Sequence, residues 1–245
     1  MTDISVVCKW KFLYRHSKYE LGDDMIQSEL AFTKLQQMIE EGGLASGSMI
    51  SERALMEITG LGRTPVREAV QKLARSSMIR VHPSKGIEVP ADSVENQLSR
   101  LEVRRPMEVL AVGLACIRAT QRDLEKISEM AARLNGDFAL KDYNETVRQT
   151  HDLIIDAAHN PYIETLMAPL QALSRRFWMT HIRDEKVDID RGKTLHREIL
   201  EAISLRDGDK GEAASLALND YLVDFALQII GRRVSGASAD LSQKF

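Results

Sequence analysis

MISERALMEITGLGRTPVREAVQKLARSSMIRVHPSKGIEV, residues Met49–Val89, contains the signals of a helix, a tight turn, a second helix and a β-hairpin. Ser51 is a good N-cap for a first helix in which Leu55 and Ile58 recur at helical spacing. The segment Gly60–Gly62 then ends this helix, because glycine tolerates a left-handed φ. These signals together predict a winged helix-turn-helix.

The second helix is predicted from about Thr64 to Ser76. We expect the hydroxyl of Thr64 to satisfy unpaired amides at its start, and Pro65 suits the first helical turn. Val66, Val70 and Leu73 recur at helical spacing and predict a buried face. The opposite face carries Arg63, Arg67 and Gln71. Two short strands, Ile79–Val81 and Ile87–Val89, are predicted to flank the wing tip at residues 82–86.

Charge indicates the partner of this segment. Between Leu61 and Gly86 there are six basic residues and one acidic residue, in a chain whose net charge is −3. Arginines at the start of a recognition helix can read guanine in the major groove, while Thr64, Ser84 and Lys85 suit phosphates. The sequence therefore predicts binding to double-stranded DNA. The alternative, a purely structural helix-turn-helix, gives no reason for basic residues at these places.

These motifs resemble the GntR family of bacterial transcription regulators. The resemblance covers about Met25 to Val89 and is carried by Gly43-Leu44, Gly47, Ser51-Glu52-Arg53, Gly62-Arg63-Thr64-Pro65-Val66-Arg67-Glu68-Ala69 and Lys85-Gly86-Ile87-Glu88-Val89. It implies DNA contacts by Arg53, Arg63, Thr64 and Arg67, with Gly86 at the wing tip. Arg53 stands near the start of the first motif helix and is expected to contact phosphate, whereas Arg63 and Arg67 are the better candidates for reading bases.

The whole chain has the composition of a soluble protein of two domains. It has 245 residues, of which 44% are hydrophobic and 28% charged, and no apolar run was found to approach a membrane span. The two cysteines, Cys8 and Cys116, suggest neither a metal nor a disulfide framework, which fits a cytoplasmic location. We divide the chain into an N-terminal extension (1–23), the winged helix-turn-helix (24–90), a helical domain (91–234) and a flexible tail (235–245).

After Pro90 the pattern is helical without a convincing strand. The predicted helices are residues 92–119, bent or interrupted at Pro106, then 123–133, 142–158, 161–183, 191–205 and 212–232. Residues 91–245 carry 21 basic and 25 acidic groups, a net charge of −4. This half is therefore predicted to be a helical bundle for sensing or dimerisation rather than for DNA binding. The fold class as a whole is mainly α.

The helical half resembles the FCD ligand-binding domain, the all-helical sensor of the FadR branch of GntR regulators. The matching residues are Glu102-Val103-Arg104-Arg105-Pro106-Met107-Glu108, His151, Ala157-Ala158-His159-Asn160-Pro161, His196-Arg197-Glu198-Ile199 and Ala202-Ile203. Members of this family that hold a metal place an aspartate four residues before the position of His151, with further histidines at the position of His196 and on the last helix. Here the first of these positions is Val147 and the last falls near Asp220 or Tyr221.

The resemblance thus leaves two interpretations of the pocket. In the first, His151 and His196 hold zinc or nickel in an incomplete site that needs an irregular ligand such as Asp220 or a bound carboxylate. In the second, the two histidines form hydrogen bonds directly to an organic effector, and Arg104 and Arg148 bind its carboxylate. For each arginine, an ordinary ion pair with no role in binding remains an alternative.

The predicted function is a homodimeric, non-enzymatic transcription regulator of repressor type. A dimer is expected because one recognition helix reads only a few base pairs, and two helices related by a twofold axis read a palindromic operator. The regulator is predicted to respond to a small metabolite of the organic-acid class. A FadR-like regulator that responds to acyl-CoA is the main alternative, and it would require a long apolar tunnel. An enzyme with His151 and His196 as general bases is a further alternative, but no phosphate loop, serine elbow or reactive cysteine accompanies them.

Overall fold

The computed structural model describes the backbone of residues 23–242 and the side chains of residues 26–230. Almost all of the predicted extension 1–23 lies outside the described residues. The N-terminal half is the predicted winged helix-turn-helix. Its elements are α1 (Asp23–Glu40), β1 (Met49–Ile50), α2 (Glu52–Thr59), α3 (Arg63–Arg75), β2 (Arg80–His82) and β3 (Gly86–Glu88).

The turn between α2 and α3 forms largely as the sequence predicts. The Ser51 hydroxyl accepts a hydrogen bond from the Ala54 amide at 3.1 Å and caps α2. Gly60 ends α2 with a φ of 72°, and its amide donates to the Met56 carbonyl at 2.8 Å. The start of α3 corrects the prediction: Gly62 is the N-cap and no side chain caps the helix. Thr64 instead lies inside the first turn.

The wing has one strand more than the sequence predicts. β3 is the central strand and pairs antiparallel with both β2 and β1. β1 was missed because two residues carry no readable alternation. Gly86 has a φ of +119°, and a Cβ on it would lie 3.0 Å from the Ile50 carbonyl oxygen. Glycine is therefore needed at this position for β3 to approach β1.

The second half is helical throughout its described part, as predicted, with different boundaries. α4 runs continuously through Pro106, so the predicted interruption is absent, and Ser93 caps it. α8 and α9 both begin earlier than predicted, and α9 continues to Ser242, through most of the predicted tail 235–245. Residues 243–245 lie outside the described part. The helices are α4 (Val94–Arg118), α5 (Gln121–Arg133), α6 (Leu140–Ala157), α7 (Pro161–His181), α8 (Glu185–Ser204) and α9 (Gly208–Ser242).

Two hydrophobic cores meet at α7. The first core lies in the winged helix-turn-helix and includes Leu35 of α1 with Val66 and Leu73 of α3. Ala172 and Leu173 of α7 belong to this same core. Elsewhere along α7, other apolar side chains are buried in the core of the helical bundle. α7 is therefore the structural junction between the two halves.

α9 departs from the expectation that no stretch approaches a membrane span. Its segment Gly208–Ile230 is long and apolar enough, by length and composition, to cross a membrane. Its inward residues, including Leu218, Phe225 and Ala226, are buried against the other helices of the bundle. In this structure α9 therefore has the packing of a core helix.

Candidate DNA-binding surface and effector cavity

The predicted DNA contacts lie at the surface of the winged helix-turn-helix. Arg63, Thr64 and Arg67 are exposed in the first turns of α3. Lys85 is exposed at the wing tip next to Gly86, whose backbone role is described above. Arg53 of α2 has a side chain that is 89% exposed. Nothing in the packing of these side chains restricts their approach to a duplex.

The sequence did not indicate that Glu52 would lie beside both base-reading candidates. Its carboxylate oxygens lie 3.4 Å from Nε of Arg63 and 3.7 Å from Nε of Arg67. Arg53 pairs in turn with Glu57 at 3.0 Å. Exposed pairs of this kind contribute little to stability, so these arginines can exchange their carboxylates for DNA at small cost.

Two other basic residues of this segment are paired with carboxylates of the chain. Lys72 pairs with Glu29 of α1. Arg80 lies 3.8 Å from Glu88, which also accepts a hydrogen bond from His82 at 2.6 Å. The surplus of positive charge on the surface is therefore carried mainly by α3 and the wing tip.

A small cavity lies inside the helical bundle and brings together three of the four predicted effector residues, Arg104, His151 and His196. Its volume is about 40 Å³, which is room for a few water molecules. Helices α4, α6, α7, α8 and α9 all contribute to its wall. The lining residues are Arg104, Tyr143, Asn144, Val147, His151, Ser174, Arg175, Trp178, Gly192, His196, Leu218, Tyr221 and Leu222.

The structure corrects the placement of Arg148, the fourth predicted effector residue. Its guanidinium pairs with Glu145 at 2.6 Å and with Asp152 at 2.6 Å on the outer side of α6. Successive helical residues point about 100° apart, so Val147 faces the cavity and Arg148 does not. The second arginine that lines the cavity, besides Arg104, is Arg175 of α7. No motif in the sequence marks Arg175 as a residue of the cavity.

Hydrogen bonds fix the tautomers of the histidine pair. The Gly192 carbonyl accepts from Nδ1 of His196 at 2.7 Å, so this nitrogen carries the proton. The two Nε2 atoms lie 3.4 Å apart, and His151 must be the donor because Nε2 of neutral His196 has only a lone pair. Nδ1 of His151 then accepts from Nη1 of Arg175 at 3.4 Å. The chain of donors runs from Arg175 through both imidazoles.

Both imidazoles are neutral in this environment. Burial lowers the pKa of His151 well below its ordinary value of 6.5, and the charges of His196, Arg104 and Arg175 lower it further. Burial also lowers the pKa of His196, although its bond to Gly192 and the nearby Glu108 act in the opposite direction. The cavity therefore places two neutral imidazoles beside two guanidinium groups, each of which is paired with a buried carboxylate, Arg104 with Glu108 and Arg175 with Glu40.

The described residues do not fit a resident metal ion. The Nε2 separation of 3.4 Å suits two nitrogens on one tetrahedral ion, which lie about 3.3 Å apart. A metal on Nε2 of His151 would, however, place the proton on Nδ1, where it meets the Nη1–H group of Arg175. Among the residues whose side chains are described, no group of three or more His, Cys, Asp or Glu residues is arranged to hold a metal.

The positions at which related proteins have further metal ligands carry residues that do not suit a metal ion here. Val147 provides an apolar wall four residues before His151. Asp220 is 60% exposed and pairs with Arg105 outside the cavity. Tyr221 does line the cavity, but burial is the main cause that raises the pKa of its phenol to about 12, so it stays protonated. An anion therefore fits these surroundings better than a cation.

Arg175 connects the cavity to the DNA-binding half. Its Nη2 donates to both oxygens of Glu40, at 3.1 and 3.2 Å, and its Nε donates to Oε2 at 3.2 Å. Glu40 is the last residue of α1, and its side chain is 4% exposed. A single buried guanidinium thus contacts both the first helix of the winged helix-turn-helix and the imidazole of His151.

Ser174 adds an unused polar group to the cavity wall. Its Oγ is buried and has no hydrogen-bond partner among the described residues. Buried hydroxyls are normally satisfied, so this one is available to a ligand or an ordered water.

Comparison with known proteins agrees with this architecture. Residues 27–89 match the model of the gntR family of bacterial regulatory proteins, and residues 99–220 match the FCD domain. The chain belongs to the GntR family. It is a transcriptional regulator of the GntR type with an FCD domain, and its relatives are regulators rather than enzymes.

Individual relatives show how far the likeness extends. LutR of Bacillus subtilis is 26% identical over 74% of this chain and 92% of its own length. The galactonate operon transcriptional repressor of Escherichia coli is 24% identical over 75% of this chain and 90% of its own length. The match to YdhC of Bacillus subtilis, at 23% identity, spans 56% of this chain and only 62% of that protein. The solved structure of Escherichia coli McbR/YncC has the same fold, with a TM-score of 0.71 at 19% identity over 83% of this chain and 98% of that one.

Proposed function

We propose that the chain binds a palindromic operator as a homodimer, acts as a repressor in the cytoplasm without a membrane partner, and changes its affinity for operator when a small organic acid enters the cavity. The observation that carries this proposal is the cavity in the FCD half, which is lined by Arg104, Arg175 and two histidines and is connected through Arg175 with the DNA-binding half. The exposed arginines of α3 support the DNA-binding part of the proposal.

An apolar stripe on α4 supports the homodimer. Val103, Leu110 and Ile117 stand seven residues apart, which places them on one side of the helix, and they are 52%, 47% and 77% exposed. Gly113 lies between the last two and has open space beside it. A stripe of this kind is covered when a second copy packs against it, and a symmetric pair of recognition helices matches a palindromic site.

The chemistry of the cavity favours a carboxylate. Arg104 and Arg175 are almost fully buried in its wall, where each is paired with a carboxylate of the chain, and a guanidinium has five N–H donors that bind carboxylates in bidentate geometry. The name of the galactonate operon repressor associates one relative with a sugar acid, which supports the same ligand class here. At about 40 Å³ the cavity admits a small acid as it stands and must widen for a sugar acid. An acyl-CoA effector is not favoured, because a cavity of about 40 Å³ is far too small for a long acyl chain.

We propose that this site holds an effector rather than zinc or nickel. Purified protein should therefore carry less than one metal ion per chain after mild dialysis, measured by elemental analysis. One tightly held zinc or nickel per chain would contradict the proposal. It would also require Arg175 to leave Nδ1 of His151.

The experiment for DNA binding is selection from a random duplex library. We expect two inverted half-sites about one helical turn apart, bound by a species of twice the chain mass in sedimentation. A single unpaired half-site bound by one chain would contradict the homodimer.

The experiment for the effector is a thermal-shift screen with acetate, lactate, gluconate and galactonate. A ligand that binds only the folded state raises the unfolding midpoint, and it should then alter the affinity for the selected duplex. A screen without any shift, or a shift that leaves the affinity for DNA unchanged, would contradict the proposed effector class.

A further inference from the structure

We infer that Glu40 occupies the carboxylate-binding position of Arg175 in the ligand-free chain and competes with the effector for this guanidinium. The inference rests on the cavity assigned in the proposed function, and it specifies how that cavity is connected to DNA binding. Occupation of the cavity by a carboxylate would then release the end of α1 from α7.

The donors of Arg175 make this competition direct. Its Nε and Nη2 atoms are engaged by Glu40 at 3.1 to 3.2 Å, and its Nη1 faces Nδ1 of His151 at 3.4 Å. A carboxylate that approaches from the cavity meets Nη1 first. To bind with both oxygens it must also take Nη2, the atom that donates to both oxygens of Glu40. The incoming carboxylate would therefore share Nη2 with Glu40, and two carboxylates beside one buried guanidinium repel each other, so the binding of one disfavours the binding of the other.

Because the ion pair is buried, replacement of Glu40 by another carboxylate requires a movement of α1. The side chains of Glu40 and Arg175 are 4% and 8% exposed. A carboxylate that loses its partner in such surroundings is strongly unfavourable until it reaches water. The last turn of α1 must therefore move when Glu40 is displaced.

The position of Glu40 transmits this movement to the DNA-binding surface. α1 supports the recognition helix α3, because Leu35 and Ile39 are buried in the same core as Val66 and Val70. α7 reaches this core through Leu173, two residues before Arg175. Displacement at Arg175 thus changes the support on which α3 rests.

The inference is tested with acetate, the smallest convenient carboxylate, at constant ionic strength. Glu40→Gln removes the competing charge and keeps the side-chain shape. Glu41→Gln is the matched control, because Glu41 is the next residue and pairs with the exposed Lys141 at 3.1 Å. Acetate affinity is measured from the imidazole ¹⁵N shifts of His151 and from the unfolding midpoint. We expect Glu40→Gln to bind acetate about tenfold more tightly than wild type, with Glu41→Gln unchanged.

Two further measurements separate competition from a general loosening of the protein. Arg175→Gln, alone or with Glu40→Gln, should abolish the acetate response. In wild type, acetate should accelerate amide hydrogen exchange in the last turn of α1 without accelerating it in α9. If Glu40→Gln fails to unfold cooperatively, Glu40→Asp is used, because its shorter side chain holds Arg175 less well and should give a smaller gain in the same direction.

Equal acetate affinity in wild type and Glu40→Gln, or no acetate binding by a folded Glu40→Gln, overturns the inference. These outcomes differ from a failure of the proposed function. Organic acids that bind wild type and Glu40→Gln equally, and that still alter binding to DNA, leave the proposed function intact and exclude competition by Glu40. Tighter acetate binding by Glu40→Gln without any effect of organic acids on DNA binding supports the competition and contradicts the effector.

Discussion

At the scale of single residues, the cavity presents a defined pattern of hydrogen-bonding groups. The proton of His196 is held by Gly192, and that of His151 points at His196, so neither imidazole can change tautomer alone. The unpaired hydroxyl of Ser174 and the second Nη1 proton of Arg175 remain as donors. A carboxylate matches this set, because it is an acceptor only.

The buried histidines predict a pH dependence of stability. Their pKa values are lowered below 6.5 in the folded chain, so the unfolded chain takes up protons first as pH falls. Their contribution is therefore fully present above pH 6.5 and is lost below it, by up to about 1.4 kcal/mol per pH unit for each histidine. In urea unfolding between pH 7 and pH 5, His151→Gln should lose less stability than wild type. If the free energy of unfolding fell equally for both proteins between pH 7 and pH 5, His151 would not be a buried histidine with a lowered pKa.

Arg67 and Lys85 should affect DNA binding in different ways. Arg67→Ala is expected to weaken binding to the selected duplex by about 1–3 kcal/mol per half-site, because an arginine that reads guanine contributes specificity. Lys85→Ala, at the wing tip, should weaken binding to selected and scrambled duplexes alike and reduce the salt dependence. Fluorescence anisotropy at several salt concentrations makes the comparison. A loss confined to the selected duplex for Lys85→Ala would reverse its assignment.

Individual residues also show the limit of prediction from sequence. The positions of His151, His196 and Arg104 in one cavity follow the family resemblance, and Arg148 was chosen for its closeness to Val147 along the chain. Arg175 could not be predicted, because its partners Glu40 and His151 lie 135 and 24 residues away. Contacts of this range depend on how helices pack, and no local pattern encodes them.

At the scale of elements, local signals predict the helices better than they predict short strands and exact boundaries. The Ser51 cap and the glycine turn identify α2 and α3 because both act within a few residues. No local signal predicts β1, because its two residues form a strand only by pairing with β3. α8 begins six residues before its predicted start, where Asp184 caps it through the Val187 amide at 3.1 Å.

The wing provides a test at this scale. Gly86→Ala should destabilise the winged helix-turn-helix by about 1–3 kcal/mol, because alanine is strained at a φ of +119° and its Cβ approaches the Ile50 carbonyl. Gly208→Ala is the control: it lies at the start of α9 with open space beside it, and it should stabilise the protein by about 0.4–1 kcal/mol. Chemical unfolding of both variants gives the comparison. Equal stability of Gly86→Ala and wild type would show that the close approach of β3 to β1 does not require glycine at this position.

At the scale of the whole molecule, the proposed dimer depends on the exposed stripe of α4. Leu110→Glu should produce monomers without loss of helicity, because a charge in the centre of an apolar interface must be desolvated when two copies meet. Tyr162→Glu is the matched control, since Tyr162 is a 78% exposed apolar residue at the start of α7 and is not part of the stripe on α4. Sedimentation and circular dichroism distinguish the two. If Leu110→Glu remains a dimer, the dimer interface does not include the α4 stripe.

The division into sequential domains is also a matter of the whole molecule. The charge difference between the halves is one basis of the predicted division, and the two family matches cover residues 27–89 and 99–220. The division could not show that Ala172 and Leu173 complete the core of the first half. Small and aliphatic residues on a helix predict that it is buried, but they do not specify against which neighbour.

This sharing of α7 limits how such regulators can be recombined. A hybrid made by joining residues 1–90 to the sensor of another regulator would lose the side chains of Ala172 and Leu173 from the core of its DNA-binding half. The same hybrid would leave Glu40 without Arg175, a buried carboxylate with no counterion. A functional exchange of sensors must therefore transplant the matching face of α7 together with the DNA-binding half, and natural shuffling of the two halves would be subject to the same constraint.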